Sequence, residues 1–412
     1  MSVHTKKNRY TFHHLGLIHL PASREYTSCA FTQKLLKLSK MLCDLGHVVY
    51  FYGARPTNRV NDIENYVNSE NFIFVETHSV QDIAKTWGDG DNRTEIGYSW
   101  ETQDFRHDLN CERTPLTQSF YKVCINKINE VKRPDHFLLC TQGMYHREVA
   151  KGVKLFLTCE PGIGYRGSAQ EMFRAFESPY IQNFTWGSEQ PFASRNGDYY
   201  SRVIPNYFDK RDFQFRKKKK DYYLFIGRLI KRKGIMTAYL ATKAIGAKLI
   251  IAGQGAYIDH RGYLVDNHPK EFEIPNDSDW EYVGYVGKEK RKELMANAIA
   301  TFTPTEYLEC FAGTHVESML SGTPPITTDF GVFPYTIPDY LNGQVGFRCN
   351  TLQDFVDATQ KAKSVDHAFV RKYAERFLME NVALDFQKWF DDLSQLYLST
   401  DGKTRGWSFV KI

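Results

Sequence analysis

Residues 309–331 read ECFAGTHVESMLSGTPPITTDFG, and this stretch decides the fold prediction. A carboxylate at Glu309 precedes a small, flexible turn, and a second carboxylate follows at Glu317. This order predicts a loop that carries Glu309 and leads into a helix that carries Glu317. The backbone N–H groups of residues 311–314 would lie at the start of that helix without intrahelical acceptors, where an anion is favoured. The stretch therefore predicts a site for a sugar attached to a phosphate.

A second informative segment is residues 222–234, which read YYLFIGRLIKRKG. An apolar strand pattern ends in Gly-Arg at Arg228, and Lys233 follows in the next turn. Two cations after the carboxyl end of a strand suit a departing diphosphate. Arginine can bind phosphate through two parallel hydrogen bonds, and lysine acts as a mobile point charge.

Strand and helix patterns alternate along both halves of the chain. Near the amino terminus, residues 15–20 are predicted as the first strand, residues 32–45 as a helix and residues 47–52 as the next strand. Such strand–helix–strand units form parallel sheets, in which ligands bind at the carboxyl edge. In the second half, this edge is expected to collect Arg228, Lys233, Val286, Glu309 and Glu317.

These segments resemble the E-x7-E signature of the retaining GT-B glycosyltransferases, glycosyltransferase family 4 and its relatives. Glu309 and Glu317 stand in the two glutamate positions, and the segment around Arg228 and Lys233 is similar to the family's G-R-x4-K-G segment. The resemblance covers the second half of the chain well and the first half only by pattern. It implies an α/β protein of the GT-B fold, with two Rossmann-like doubly wound domains facing across a cleft.

The resemblance also implies the domain boundaries. Residues 1–205 would form an N-terminal Rossmann-like acceptor domain, and residues 206–385 a C-terminal Rossmann-like domain that binds the sugar nucleotide. Residues 386–412 would form a C-terminal helix and tail that cross back to pack on the first domain.

The implied activity is a retaining, metal-independent transfer of a hexosyl or pentosyl group from a nucleotide-diphosphate sugar to a hydroxyl acceptor. The donor would be a UDP- or GDP-sugar, with no further cofactor. Glu309, Arg228 and Lys233 are the implied catalytic residues. The implied donor-binding residues are Gly227, Val286, Cys310, Phe311, Ala312, Gly313, Thr314 and Glu317.

A further candidate loop follows the predicted strand at residues 154–159. It reads EPGIGYRGS from Glu160, so a charged residue precedes three glycines. Glu160, with Tyr165 and Arg166 nearby, is expected to orient acceptor or donor hydroxyl groups, although Glu160 would also suit a cap of the following turn. An Asp-x-Asp at Asp89 and Asp91 lies in a polar, glycine-rich stretch that is typical of a turn, so no catalytic metal is predicted.

The acceptor is not defined by these motifs. One alternative is a glycan, a lipid or a protein glycan. A second is a modified base of viral or phage DNA, since the basic run at residues 216–220 and the net charge of +5 are compatible with nucleic acid. The same run is typical of an exposed loop, and it would also suit peripheral contact with acidic lipids. The third alternative is a non-catalytic sugar-nucleotide or carbohydrate-binding protein of the same fold.

The cysteines and the apolar runs indicate the compartment. The eight cysteines include no C-x-x-C pair, which is typical of reduced thiols. The first residues lack the apolar core of a signal peptide, and no apolar run approaches the roughly 20 residues that span a bilayer. We therefore expect a cytoplasmic protein without a transmembrane segment, possible contact with a membrane surface, and the host cytoplasm as its location if a virus or phage encodes it.

Overall fold

A computed structural model describes residues 8–24, 30–56, 62–87, 114–165, 167, 173–189, 200–267 and 271–400. Internal contacts divide the chain into two compact units. Unit 1 comprises residues 1–177, 181–207 and 382–412, and unit 2 comprises residues 178–180 and 208–381. The Asp-x-Asp at Asp89 and Asp91 and the loop residue Arg166 lie outside the described residues.

Unit 1 is built on a parallel sheet. Its strands are β1 (Thr11–Leu15), β2 (Val48–Ala54), β3 (Phe72–His78), β4 (Phe137–Leu139), β5 (Thr158–Ile163), β6 (Phe173–Phe176) and β7 (Arg202–Val203). They are ordered β3-β2-β1-β4-β5-β6-β7, and each neighbouring pair is parallel. This order reverses direction at β1, as in doubly wound folds.

Helices connect these strands. They are α1 (Ala30–Asp44), α2 (Ile63–Val67), α3 (Val80–Trp87), α4 (Pro115–Val131), α5 (Arg147–Val153) and α6 (Pro179–Glu189). The start of α4 has a local cause, because the Thr114 side chain accepts a hydrogen bond from the N–H of Thr117 and Pro115 occupies the first turn. Its buried residues recur at helical spacing, so one face packs on the sheet.

The first strand differs from the prediction, since it spans Thr11–Leu15 and not residues 15–20. Two histidines interrupt the apolar pattern, yet His13 and His14 are both completely buried. The ring of His13 hydrogen-bonds to the hydroxyl of Tyr52 at 2.9 Å. Burial lowers the pKa of each histidine to about 3, so both rings are neutral and fit an apolar interior once they have partners.

The last helix, α13 (Met379–Thr400), begins before the predicted residue 386. From Val382 onward it belongs to unit 1. Its Phe390 ring lies 4.7 Å from the ring of Phe12 and 5.2 Å from the ring of Phe137, between centroids. These aromatic contacts bury the helix against the strands β1 and β4.

Unit 2 contains a second parallel sheet and a small antiparallel one. The strands are β8 (Tyr223–Ile226), β9 (Leu249–Ala252), β10 (Ala256–Ile258), β11 (Leu264–Asp266), β12 (Glu273–Ile274), β13 (Trp280–Tyr282), β14 (Thr301–Thr303), β15 (Pro325–Thr328) and β16 (Phe347–Cys349). The parallel sheet has the order β13-β9-β8-β14-β15-β16, and β10, β11 and β12 form the antiparallel sheet. Two doubly wound parallel sheets confirm the predicted α/β class.

The helices of unit 2 are α7 (Ile235–Ala244), α8 (Lys288–Asn297), α9 (Gly313–Leu320), α10 (Phe333–Thr336), α11 (Leu352–Lys361) and α12 (His367–Ala374). The core beneath the sheet is apolar, and its residues, such as Leu249, Ile251 and Ile326, are buried. Because the strands are parallel, the segments after β8, β13 and β14 lie at one edge of the sheet. These segments carry the predicted site residues.

Candidate active site

Glu309 lies in the loop between β14 and α9 and is 8% exposed. Its carboxylate forms an ion pair with the Lys233 ammonium. The hydroxyl of Tyr307 donates to the same carboxylate at 2.7 Å, and the hydroxyl of Thr305 lies 3.4 Å away. The structure therefore brings Lys233 and Glu309 together, as the sequence predicted.

The cations lie in the turn between β8 and α7. Lys233 ends a short helical turn, and Gly234 follows with a positive φ of 77°. A Cβ atom at this glycine would lie 1.9 Å from the carbonyl oxygen of Pro304, so only glycine allows the Lys233 turn to approach the Glu309 loop this closely.

Arg228 follows Gly227 in the same turn, and its side chain is exposed. Desolvation by neighbouring protein atoms lowers the pKa of Arg228, and the negative charge of Glu309 acts in the opposite direction. Arg228 is thus within electrostatic reach of the Glu309 carboxylate. Arg232, which the sequence reasoning missed, adds a further cation, because its guanidinium lies 5.2 Å from the centre of the Tyr307 ring.

The start of α9 has an unusual backbone. Ala312 precedes the helix with a left-handed φ of 56°, which is uncommon for a residue with a side chain. The N–H groups of residues 311–314 find no acceptor in the part of the chain that the structure describes. His315 holds the turn, since its backbone N–H donates to the Ala312 carbonyl and its ring also bonds to that oxygen. Burial lowers the pKa of His315 to about 4, so the ring is neutral.

Two of the expected donor-binding residues have structural partners. Phe311 is buried against Phe208 and Phe377, so its backbone and not its ring would be available to a ligand. The carbonyl of Cys310 accepts a hydrogen bond from the Ser178 hydroxyl at 2.6 Å, within unit 2. The turn from Cys310 to Gly313 is therefore fixed by the hydrogen bond to the Cys310 carbonyl and by the packing of the Phe311 ring.

Glu317 lies in α9, and its carboxylate pairs with Arg291 of α8. The Nε atom of Arg291 donates to Oε2 of Glu317 at 3.0 Å. Val286 lies between β13 and α8, at the same edge of the sheet, and packs against an apolar cluster. No local sequence signal links Arg291 to Glu317, because the two residues are on different helices.

The candidate residues of unit 1 occupy a different setting from the predicted loop. Glu160 lies inside β5, which continues to Ile163, and it is completely buried. The hydroxyl of Tyr165 donates to Glu160 at 2.8 Å, and burial followed by the Glu160 charge raises the pKa of Tyr165. The prediction that the strand ends before Glu160 is therefore wrong, because β5 continues to Ile163. The adjacent ion pair of Lys34 and Glu177 is also enclosed.

The basic run at residues 216–220 is only partly a solvated surface. Lys219 turns inward, and its ammonium donates to the Ala296 carbonyl at 2.9 Å and to the Thr323 hydroxyl at 2.8 Å. Burial lowers the pKa of Lys219 to about 7. A partner that binds through this run would therefore meet four outward cations and not five.

The described residues offer neither a metal cluster nor a membrane-spanning helix. Among them, no three His, Cys, Asp or Glu side chains are grouped to hold a metal ion. None of the helices within them is both long enough and apolar enough to cross a bilayer.

The geometry defines a class of protein. The carboxyl edge of a doubly wound sheet holds cations, an open helix start and two carboxylates, which together suit an anion joined to a hydroxyl-rich group. Residues 207–376, which contain this edge, match the family model described as glycosyl transferases group 1. A comparison with curated protein sequences gives no match.

Solved structures share the fold across nearly the whole chain. AviGT4, a glycosyltransferase involved in avilamycin A biosynthesis, is 17% identical, with a TM-score of 0.59 over 94% of this chain and 98% of that one. Sucrose-phosphate synthase from Thermosynechococcus elongatus is 14% identical, with a TM-score of 0.64 over 94% and 100%. HepE from Anabaena, solved with UDP and glucose, is 12% identical, with a TM-score of 0.57 over 93% and 100%.

The group 1 domain and the shared fold identify the chain as a glycosyltransferase enzyme. The predicted GT-B fold and the predicted enzyme class are confirmed, and the non-catalytic alternative is set aside. At these identities the solved structures establish the fold and not the substrates.

Proposed function

We propose that the enzyme is a retaining, metal-independent glycosyltransferase that moves a sugar from a nucleotide-diphosphate sugar to a hydroxyl acceptor. One observation carries the proposal: Glu309 pairs with Lys233, and Arg228 follows β8 in the same turn as Lys233. A single small ligand at this edge would meet two cations and a carboxylate that can accept hydrogen bonds from hydroxyl groups. A sugar joined to a diphosphate has the matching groups.

The cations support leaving-group stabilisation. As the bond between sugar and diphosphate breaks, negative charge grows on the phosphate oxygens. Arg228, Lys233 and the N–H groups of residues 311–314 would neutralise this charge without a metal ion. In a retaining transfer, the departing diphosphate would itself help to take the proton of the acceptor hydroxyl.

The two carboxylates support the orientation of the donor. Glu309 would accept hydrogen bonds from hydroxyl groups of the donor sugar, and Glu317 from those of the ribose. The likeness to HepE, which was solved with UDP and glucose, supports a UDP-sugar as the first donor to test. GDP-sugars form the second group of the same test.

The experiment begins with a panel of UDP- and GDP-sugars screened by thermal shift. A ligand at 100 times its dissociation constant adds about 2.7 kcal/mol to the free energy of unfolding. The best donor is then used to measure release of the nucleoside diphosphate, alone and with glycan, lipid and modified-DNA acceptors. Binding to duplex DNA with a steep salt dependence would favour the nucleic-acid acceptor.

Glu309→Gln is the decisive variant. The amide keeps the size of the side chain but removes its charge, so we expect turnover to fall about 1,000-fold or more with a nearly unchanged melting temperature. Asp277→Asn, elsewhere in unit 2, is the matched control and should keep the wild-type rate. Wild-type turnover by Glu309→Gln, or the absence of binding by every sugar nucleotide, would contradict the proposal.

A further inference from the structure

The hydrogen bonds of Glu309 are distributed unevenly between its two oxygens. Lys233, Tyr307 and Thr305 all approach the same oxygen, Oε1. Oε2 accepts no hydrogen bond from any residue in the described part of the chain. The protein therefore holds this carboxylate by one oxygen and leaves the other one available.

Tyr307 contacts Glu309 and two of the cations beside it. Its hydroxyl donates to Glu309, and the Lys233 ammonium lies 4.8 Å from the centre of its ring. The Arg232 guanidinium lies 5.2 Å from the same ring. Desolvation, and after it the charge of Glu309, raises the pKa of Tyr307, so the phenol keeps its proton and remains a donor near neutral pH.

Lys233 and Tyr307 respond differently to an incoming diphosphate. Lys233 carries a charge, and a second anion at the site competes with Glu309 for it. Tyr307 is neutral, so phosphate does not attract it in this way. It is also only two positions from Glu309 in the same loop, and its hydroxyl donates to that carboxylate. If the lysine turned toward phosphate, Tyr307 and Thr305 would remain as donors to Oε1.

We propose that Tyr307 is a positioning residue for sugar transfer. It keeps Oε1 of Glu309 engaged while Lys233 binds the diphosphate, so that Oε2 stays directed at a hydroxyl group of the donor sugar. This inference rests on the proposed function. It adds a residue that acts through Glu309 and makes no contact of its own with the nucleotide.

The test compares two tyrosine variants. Tyr307→Phe removes only the hydroxyl, and we expect the transfer rate to fall about 10- to 100-fold, the usual effect of losing a hydrogen bond to a charged group. Tyr239→Phe is the control, because its hydroxyl also donates to a carboxylate, Asp277, at 2.7 Å. The control variant should keep the wild-type rate.

Binding distinguishes positioning from a structural role. Tyr307→Phe should weaken the affinity for the UDP-sugar while changing the affinity for UDP alone by less than about twofold, because only the sugar contacts Glu309. In the double variant with Glu309→Gln, the loss in UDP-sugar affinity should be no larger than with Glu309→Gln alone. Equal losses for UDP and UDP-sugar, or additive losses in the double variant, would overturn the inference.

The outcome also separates this inference from the function on which it rests. If Glu309→Gln is inactive and Tyr307→Phe transfers at the wild-type rate, the role of Tyr307 is wrong and the proposed function stands. If Glu309→Gln is fully active, the proposed function itself fails. Each rate is divided by the concentration of folded protein. A variant that is only less stable is therefore not mistaken for one that is less active.

Discussion

Unit 2 contains two clusters with the same composition, each of a tyrosine, a carboxylate and a lysine. In the site cluster, Tyr307 and Lys233 both bond to Glu309. In the outer cluster, Tyr239 and Lys243 both bond to Asp277, at 2.7 and 2.5 Å. The two lysine ammonium groups lie over the tyrosine rings at similar distances, 4.8 and 5.4 Å.

The clusters differ in how the carboxylate oxygens are used. Tyr239 donates to one oxygen of Asp277, and Lys243 donates to the other. In the site cluster, both donors share one oxygen of Glu309. The side chain of Glu309 is also much less exposed, at 10% against 43% for Asp277. Asp277 is satisfied at the surface, whereas Glu309 keeps an acceptor available in a mostly enclosed position.

The comparison shows why composition alone does not identify a site. A buried or half-buried polar atom without a partner is costly, so proteins usually satisfy it. An available carboxylate oxygen beside several cations therefore points to a ligand that supplies the missing hydrogen bond. A satisfied carboxylate with the same neighbours contributes only to the local structure.

Among the changes that test this comparison, the largest effect is expected from replacing the lysine of the site cluster. Lys233→Met removes a cation that would face the diphosphate, so we expect turnover to fall about 100- to 1,000-fold. Lys243→Met should leave turnover unchanged. Release of nucleoside diphosphate at saturating donor measures both variants. Similar rates for the two variants would show that the site cluster has no special role.

A smaller effect is expected at the second carboxylate of the motif. Arg291 donates only to Oε2 of Glu317, whereas Arg261 donates to both oxygens of Glu273. Arg291→Met should leave Glu317 less well oriented and weaken UDP binding about 3- to 10-fold. Arg261→Met is the control, and calorimetric titration with UDP measures both. Equal affinities for the two variants would contradict a role of Glu317 in binding the nucleotide.

The smallest effect is expected for stability, from Asp277→Asn. The hydrogen bonds from Lys243 and then from Tyr239 lower the pKa of Asp277 below its usual value of 3.8. A lowered pKa in the folded state stabilises the fold above the unfolded value, and this contribution is lost as the pH falls through the folded value. At pH 7 the variant should melt about 1–3 °C lower than the wild type, and high salt should reduce the difference.

Melting temperatures of the wild type and of Asp277→Asn measured at low pH check that prediction. Because asparagine resembles the protonated acid, the gap between the two melting temperatures should close as the pH falls below about 4. A gap that is constant with pH would show that Asp277 stabilises unit 2 by some means other than its charge.

The sequence predicted the site residues that follow strand ends and failed where partners come from distant segments. Arg228 and Glu309 could be placed at one edge because parallel strands present their carboxyl ends together. Tyr307 was missed although it lies in the Glu309 loop, since an aromatic residue there is equally typical of a core. Arg291 could not be found, because its contact with Glu317 depends on how two helices pack.

The same reason explains the errors elsewhere in the chain. Lys219 belongs to a run of five cations that predicts solvent exposure, and yet its ammonium group donates to the Ala296 carbonyl in α8 and to the Thr323 hydroxyl before β15. His13 and His14 break the apolar pattern of the first strand, so the strand was not predicted there. Polar residues seldom occupy a buried strand. Glu160 was expected after a strand, although Tyr165 and the continuation of β5 enclose it.

By itself, the sequence determined the two α/β series, the parallel sheets and the residues at their carboxyl ends, because strand and helix periodicity and strand direction are local properties. Only the tertiary structure decided which oxygen of Glu309 is held, which cation turns inward and which histidines are neutral. These properties depend on distances between side chains that are far apart in the chain, and hydrogen bonding and desolvation change steeply over such distances.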